Sequence, residues 1–106
     1  MEIVYCAHSH TTKILSTLIC FYVIKKGFAP VDPFLIFPSD VLEVFDYEKE
    51  ERLALDLSIL RKCDRLWVFG EPYTPGVMTE VDTYKHEVNK YSVEHISWEE
   101  LRSLVG

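Results

Sequence analysis

With 106 residues, 48% of them hydrophobic and 26% charged, the chain has the size and composition of one ordinary globular domain, which excludes a disordered or fibrous protein. Its formal net charge is -6 and its 11 basic residues are scattered, so we expect no surface for the phosphate backbone of DNA or RNA. No signal-type cleavage site follows Met1 and no apolar stretch approaches ~18 residues, so we expect neither secretion nor membrane insertion.

The first predicted elements are a strand and a helix. The apolar run 3–7 indicates a buried strand, and Thr11 or Thr12 is placed to cap a helix over 13–26 that ends before Gly27. The helix is apolar on more than one face. It is therefore a candidate surface for a homodimer or higher homo-oligomer, and burial within one subunit explains the same pattern equally well.

Prolines interrupt the apolar segment 28–37. Pro30, Pro33 and Pro38 permit at most a short edge strand followed by a constrained loop, which runs to about Phe45 and could cover a site. Leucines at helical spacing then predict a helix over 47–62.

The continuous apolar run 66–69, closed by Gly70, is typical of a strand buried on both faces of a parallel sheet. Thr74 then suits a helix N-cap and Pro75 suits the first helical turn. The apolar stripe of this helix consists of Val77, Val81, Tyr84 and Val88. A last strand is predicted over 91–96, and the capping box SWEE opens a short terminal helix.

Strands and helices thus alternate along residues 1–106. This order predicts a single α/β domain with an open, parallel, Rossmann-like sheet of about four strands and flanking helices. In such sheets ligands bind beyond the carboxyl ends of the strands, where loops 8–12 and 71–80 are expected to converge. Gly76 would let an anion approach the N-terminus of the helix that begins there, although an ordinary capped helix explains the same residues.

Three segments together carry a resemblance: "VYCAHS", "RLALDLSILRKCDRLWVFG" and "TPGVMTE". Over residues 3–88 the chain resembles the nucleoside 2-deoxyribosyltransferase-like family, including the related deoxynucleoside 5'-monophosphate N-glycosidases. It looks closest to small bacterial and phage members. The resemblance implies that Glu80 is the nucleophile that attacks the anomeric carbon, that Asp56 assists at the base or the nucleophile, and that Tyr5 orients Glu80.

The resemblance also places Thr74 and Gly76 beside the sugar or the 5'-phosphate. A carboxylate nucleophile and a nearby proton donor are what a retaining glycosidic cleavage requires, and Glu80 and Asp56 have the right chemistry.

Further residues of the cleft loops are candidates for substrate binding. His8, Ser9 and His10 can contact a base or phosphate, and Glu71 is a reserve carboxylate. The few cations near the cleft are Lys13 and Arg52, which lies one turn before Asp56. The substrate can therefore be either a nucleoside or a nucleotide. Four aromatic residues can either stack on a base or pack in the protein: Tyr5, Phe37, Tyr47 and Tyr73.

Cysteine usage bears on metals and on localisation. Cys6, Cys20 and Cys63 lie in apolar segments, at spacings unlike those of zinc sites, and favour a reducing cytoplasm. The motif Cys6-x-His8-x-His10 has no matching third and fourth ligand, so we predict no metal and no cofactor.

The sequence therefore favours an N-glycosidase or deoxyribosyltransferase that acts on a small nucleoside or nucleotide. The alternative is a non-catalytic nucleotide-binding module of the same fold. A purely structural domain that dimerises through helix 13–26 is a third interpretation.

Overall fold

The computed structural model describes residues 1–36, 49–71 and 73–104. Its strands are β1 (Ile3–Ala7), β2 (Ala29–Val31), β3 (Arg65–Phe69) and β4 (Val93–Ile96). They form one sheet in the order β2, β1, β3, β4, and each neighbouring pair is parallel. The predicted loop up to Phe45, with Phe37 and Tyr47, lies outside the described residues.

Helices follow the strands on both faces of the sheet, and the predicted open parallel α/β fold is confirmed. The α-helices are α1 (Ser16–Lys25), α2 (Pro33–Ile36), α3 (Lys49–Leu60), α4 (Pro75–Tyr84) and α5 (Trp98–Arg102). Tighter or wider turns flank them: 3₁₀ helices at His10–Leu15 and Lys90–Ser92, and a π-helical turn at Lys85–Asn89.

Each face of the sheet has its own apolar core because successive strand residues point to opposite sides. On one face, Val4, Cys6, Trp67 and Phe69 pack with residues of α1 and α5. On the other face, Tyr5, Ala7, Leu66 and Val68 pack with residues of α3 and α4. The prediction that residues 66–69 are buried on both faces is therefore confirmed.

The short edge strand is also confirmed. Pro30 lies in β2 and is aligned with Val4 of β1 at the border of the sheet, where a missing N–H is tolerated. Gly27 ends α1 with a φ of 93°, and the N–H of Phe28 reaches back to the carbonyl of Val23. This is the helix end that the glycine predicted.

Three element ends differ from the prediction. The chain enters α1 through the 3₁₀ helix, where neither Thr11 nor Thr12 caps α1; the hydroxyl of Thr12 instead donates to the carbonyl of Ser9. Val88 is exposed, not part of the buried stripe, because the π-helical turn rotates it away from the sheet. The last strand begins at Val93, and Tyr91 before it is exposed.

Gly70 connects the sheet to the loop that precedes α4. Its φ of 67° lies in the left-handed region, and its N–H donates to the carbonyl of Ile96 at 2.8 Å. A Cβ at this position would overlap the indole ring of Trp98. Both the backbone and the close packing of Trp98 therefore require glycine here.

The three glycines Gly70, Gly27 and Gly76 form a graded test of this constraint. Gly70→Ala is expected to lower the free energy of unfolding by more than about 3 kcal/mol, because strain and overlap add. Gly27→Ala should cost only about 1 kcal/mol, since a Cβ there meets nothing within 4 Å, and Gly76→Ala should be close to neutral. Urea denaturation measures all three; a Gly70→Ala protein as stable as Gly76→Ala would contradict the account.

Candidate functional site

The sheet order locates the switch point. The chain passes from β1 to β2 on one side and then crosses to β3 on the other side of β1. The switch point therefore lies between β1 and β3, and open α/β sheets bind ligands beyond the carboxyl ends of the strands at such a point. The segments that leave these ends begin at His8 and Gly70.

Glu80 is hydrogen-bonded to β1, one of the two strands that flank the switch point. It belongs to α4, is 6% exposed, and its Oε2 accepts a hydrogen bond from the hydroxyl of Tyr5, which is fully buried. The structure thus brings together the two residues that the resemblance assigned as nucleophile and orienting group. Across the described residues, Oε1 of Glu80 accepts no hydrogen bond.

Burial dominates the electrostatics of Glu80. The pKa of Glu80 is raised to about 8, mainly by burial; the hydrogen bond from Tyr5 lowers it, and the charges of Asp56 and Asp32 raise it. Burial and the carboxylate of Glu80 also raise the pKa of the Tyr5 phenol far above its usual value, so the phenol stays protonated and donates.

Asp56, on α3, belongs to the same charged cluster. Burial raises its pKa to about 6, the guanidinium of Arg52 lowers it, and the charge of Asp32 raises it. Two carboxyl groups with perturbed pKa values in one cleft are typical of sites that move protons. The structure therefore joins Tyr5, Asp56 and Glu80, with Arg52 as the nearby cation.

Thr74 and Gly76 lie at the N-terminus of α4, as predicted. Thr74 is the N-cap, its Oγ1 accepts from the N–H of Val77 at 3.3 Å, and Pro75 follows as the first helical residue. Gly76 is exposed, and a side chain there would meet only the hydroxyl of Thr74. The helix start is therefore open to a ligand from outside.

The other predicted binding residues are placed differently. Both ring nitrogens of His8 bond within the protein, and Ser9 is buried with its hydroxyl 2.7 Å from that of Thr11. His10 is exposed and meets the ring of Phe34 edge-on. Contacts of these three residues with a substrate stay predictions.

Glu71 lines a cleft of about 360 Å³ at the carboxyl ends of β3 and β4. The indole of Trp98 and the imidazole of His95 form other walls of this cleft, and the ring of Tyr73 packs edge-on against His95. This cleft contains no residue of loop 8–12, and Glu71 does not contribute to the electrostatics of Glu80, so its part in substrate binding stays a prediction.

Asp32 is the residue that the sequence reasoning missed. It directly follows β2, is buried, and influences the pKa values of Tyr5, Asp56 and Glu80. The signal was present in the sequence, because the carboxyl end of the second strand also faces the ligand edge of a parallel sheet.

Within ranges 1–36, 49–71 and 73–104, no three His, Cys, Asp or Glu side chains are grouped so that they could hold a metal ion. No helix in the same ranges has the length and apolarity needed to cross a membrane.

Comparison with known proteins gives one match. A family model described as "Domain of unknown function (DUF7768)" matches residues 3–94, which include the whole sheet apart from the last residues of β4. No curated protein and no solved structure matches the chain.

The stability of the protein should report the proton held by Glu80. Its pKa is about 8 in the fold and 4.5 when unperturbed, so the folded state binds more protons between these pH values. The free energy of unfolding therefore decreases as pH rises through this window, at up to ~1.4 kcal/mol per pH unit from this group.

In Glu80→Gln this decrease should be much smaller above pH 6.5, where Asp56 contributes little. Urea denaturation between pH 5 and pH 8.5 measures the slope. Asp82→Asn, an exposed carboxylate on the same helix, is the matched control and should keep the wild-type slope. Equal slopes in wild type and Glu80→Gln would show that Glu80 is not buried as a protonated acid.

Proposed function

The chain belongs to the DUF7768 family, whose description carries no activity, and we propose its function from the geometry of the site. The protein cleaves the N-glycosidic bond of a small (deoxy)nucleoside or nucleoside 5'-monophosphate and passes the sugar to water or to a second base. The observation that carries this proposal is the buried Glu80, held by the Tyr5 hydroxyl at the switch point of the sheet.

The chemistry divides into two displacements at one carbon. An oxygen of Glu80 attacks the anomeric carbon, the carbon–nitrogen bond breaks, and its electron pair leaves with the base, which takes up a proton. Water or an acceptor base then attacks the same carbon, transfers a proton, and releases the carboxylate of Glu80.

Tyr5 fixes the geometry of the attack. Its hydroxyl donates a hydrogen bond to Oε2 of Glu80, which leaves Oε1 as the oxygen that attacks the substrate. The hydrogen bond also favours the ionised form of Glu80, against the effect of burial. The same phenol therefore both aligns the nucleophile and keeps a fraction of it charged.

The proton required by the leaving base can come from the site itself. Glu80 must lose a proton to become a nucleophile, while the base must gain one to depart. Asp56 interacts electrostatically with Glu80 and has a pKa of about 6, which suits a group that accepts and returns a proton near neutral pH. We assign Asp56 to proton transfer at the base.

The N-terminus of α4 is proposed to contact the sugar or its 5'-phosphate. The helix has ten residues, and its first N–H groups point beyond the cap at Thr74. Arg52 is half-buried, acts on Asp56, and is the cation of the cluster that we propose for contact with a phosphate.

We also propose that the protein forms a homodimer or a higher homo-oligomer through α1. Ile19, Tyr22 and Val23 of this helix are buried in the subunit, whereas Phe21 and Ile24 are exposed on its other side. Light scattering measures the oligomer directly. The three free cysteines support a reducing cytoplasm as the compartment.

Base release tests the proposed function. Chromatography follows the free base from a panel of deoxynucleosides, ribonucleosides and their 5'-monophosphates, with and without an acceptor base. Glu80→Gln should lose roughly 10³-fold or more in kcat, because the nucleophile is gone. Tyr5→Phe should lose about 10- to 100-fold, the worth of a hydrogen bond to a charged group.

Asp82→Asn is the matched control, since it removes an exposed carboxylate two residues from Glu80 and should retain full activity. Release that persists in Glu80→Gln would contradict the proposed mechanism. Absence of turnover over the whole panel, with substrate binding retained, would favour the nucleotide-binding module.

A further inference from the structure

A buried histidine and aspartate connect the first two strands behind the site. His8 directly follows β1 and Asp32 directly follows β2, and these strands are neighbours in the sheet. Nε2 of His8 lies 2.7 Å from Oδ2 of Asp32, and both side chains have 0% exposure. Because the pair is buried, water can neither hydrogen-bond to it nor screen its charge.

The hydrogen bonds of this pair allow both ring nitrogens of His8 to donate. Oγ1 of Thr12 lies 2.8 Å from the carbonyl oxygen of Ser9 and 2.9 Å from Nδ1 of His8, and when its one hydrogen goes to the carbonyl, Nδ1 is the donor in the second contact. Oγ of Ser16 lies 3.4 Å from Nε2.

The second nitrogen faces a carboxylate that already accepts elsewhere. Oδ1 of Asp32 accepts from the N–H of Phe34 at 2.9 Å, which leaves Oδ2 to accept from Nε2 of His8. When both ring nitrogens donate, His8 is an imidazolium and its contact with Asp32 is a buried ion pair.

The charge of Asp32 matters for Glu80. Asp32 is paired with His8, and Asp56 has Arg52 on the same helix. Asp32 also disfavours ionisation of Glu80. A bare carboxylate at position 32 would therefore act more strongly against the nucleophile than the ion pair does.

We propose that His8 is a positioning residue that neutralises Asp32, so that Glu80 can ionise and attack the substrate. His8 does not touch the reacting atoms; it acts through Asp32. Among the described residues, the groups that act on Glu80 are Tyr5 from β1, Asp56 from α3 and Asp32 after β2; Arg52 acts on Asp56, and His8 pairs with Asp32. The catalytic role rests on the proposed function of Glu80, whereas the charge of His8 does not.

Two variants separate the charge from the packing. His8→Gln keeps a donor toward Asp32 but removes the positive charge. The double variant His8→Gln with Asp32→Asn removes both charges and keeps an amide pair of similar size. If the cation acts by neutralising Asp32, the double variant restores what the single variant loses, and a merely structural role for His8 would not produce this rescue.

The first readout does not require activity. Nitrogen-15 NMR of the histidine rings in the wild-type protein should show two N–H groups on His8 at pH 7. Carbon-13 NMR of the glutamate carboxyls should show Glu80 titrating at higher pH in His8→Gln and near the wild-type pH in the double variant. A neutral His8 ring, or a Glu80 titration that is the same in all three proteins, would overturn the proposal.

The second readout is the pH dependence of base release. In His8→Gln the acid limb of kcat should move to higher pH, with about a tenfold loss at pH 7 and little change in KM. The double variant should recover most of this loss. If no protein releases base, the proposed function fails while the NMR titrations still decide the role of His8; if wild type is active and the limb does not move, the positioning role fails alone.

Discussion

The hydrogen bond between Tyr5 and Glu80 is the constraint to which the rest of the site adjusts. It joins the central strand β1 to α4 across 75 positions of sequence, and both partners are buried. A buried carboxyl and a buried hydroxyl each require a partner, so the bond satisfies two groups at once. It also holds α4 against β1, and the N-terminus of this helix, begun by Thr74 and Pro75, comes after β3 in the chain.

Burial of Glu80 disfavours its ionised form, and the surrounding residues reduce this effect. Two other carboxyl groups, Asp32 and Asp56, also disfavour its ionisation. Arg52 lowers the pKa of Asp56, Tyr5 donates to Glu80, and His8 pairs with Asp32. Each carboxyl group thus has a different partner, and this difference is what lets one act as nucleophile while another exchanges a proton.

The sequence predicted the fold well because the relevant signals are local. The run 66–69, Gly27 after α1 and the Thr74–Pro75 cap are each explained by a few neighbouring residues, and each was confirmed. Pairing of Tyr5 with Glu80 was predicted only through the resemblance. The His8–Asp32 pair was missed because two loop residues 24 positions apart meet only once the strands are aligned, and the π-helical turn that exposes Val88 has no simple sequence signal.

The central claim is that Glu80 forms a covalent bond to the sugar, and mass spectrometry of a trapped intermediate tests it most directly. A 2-deoxy-2-fluoro nucleoside suits this purpose, because the fluorine destabilises positive charge at the anomeric carbon and slows the second displacement. We predict one fluorosugar per chain, attached to the peptide that contains Glu80 and accompanied by one equivalent of free base. Base release without an adduct, or an adduct on Asp56, would contradict the account.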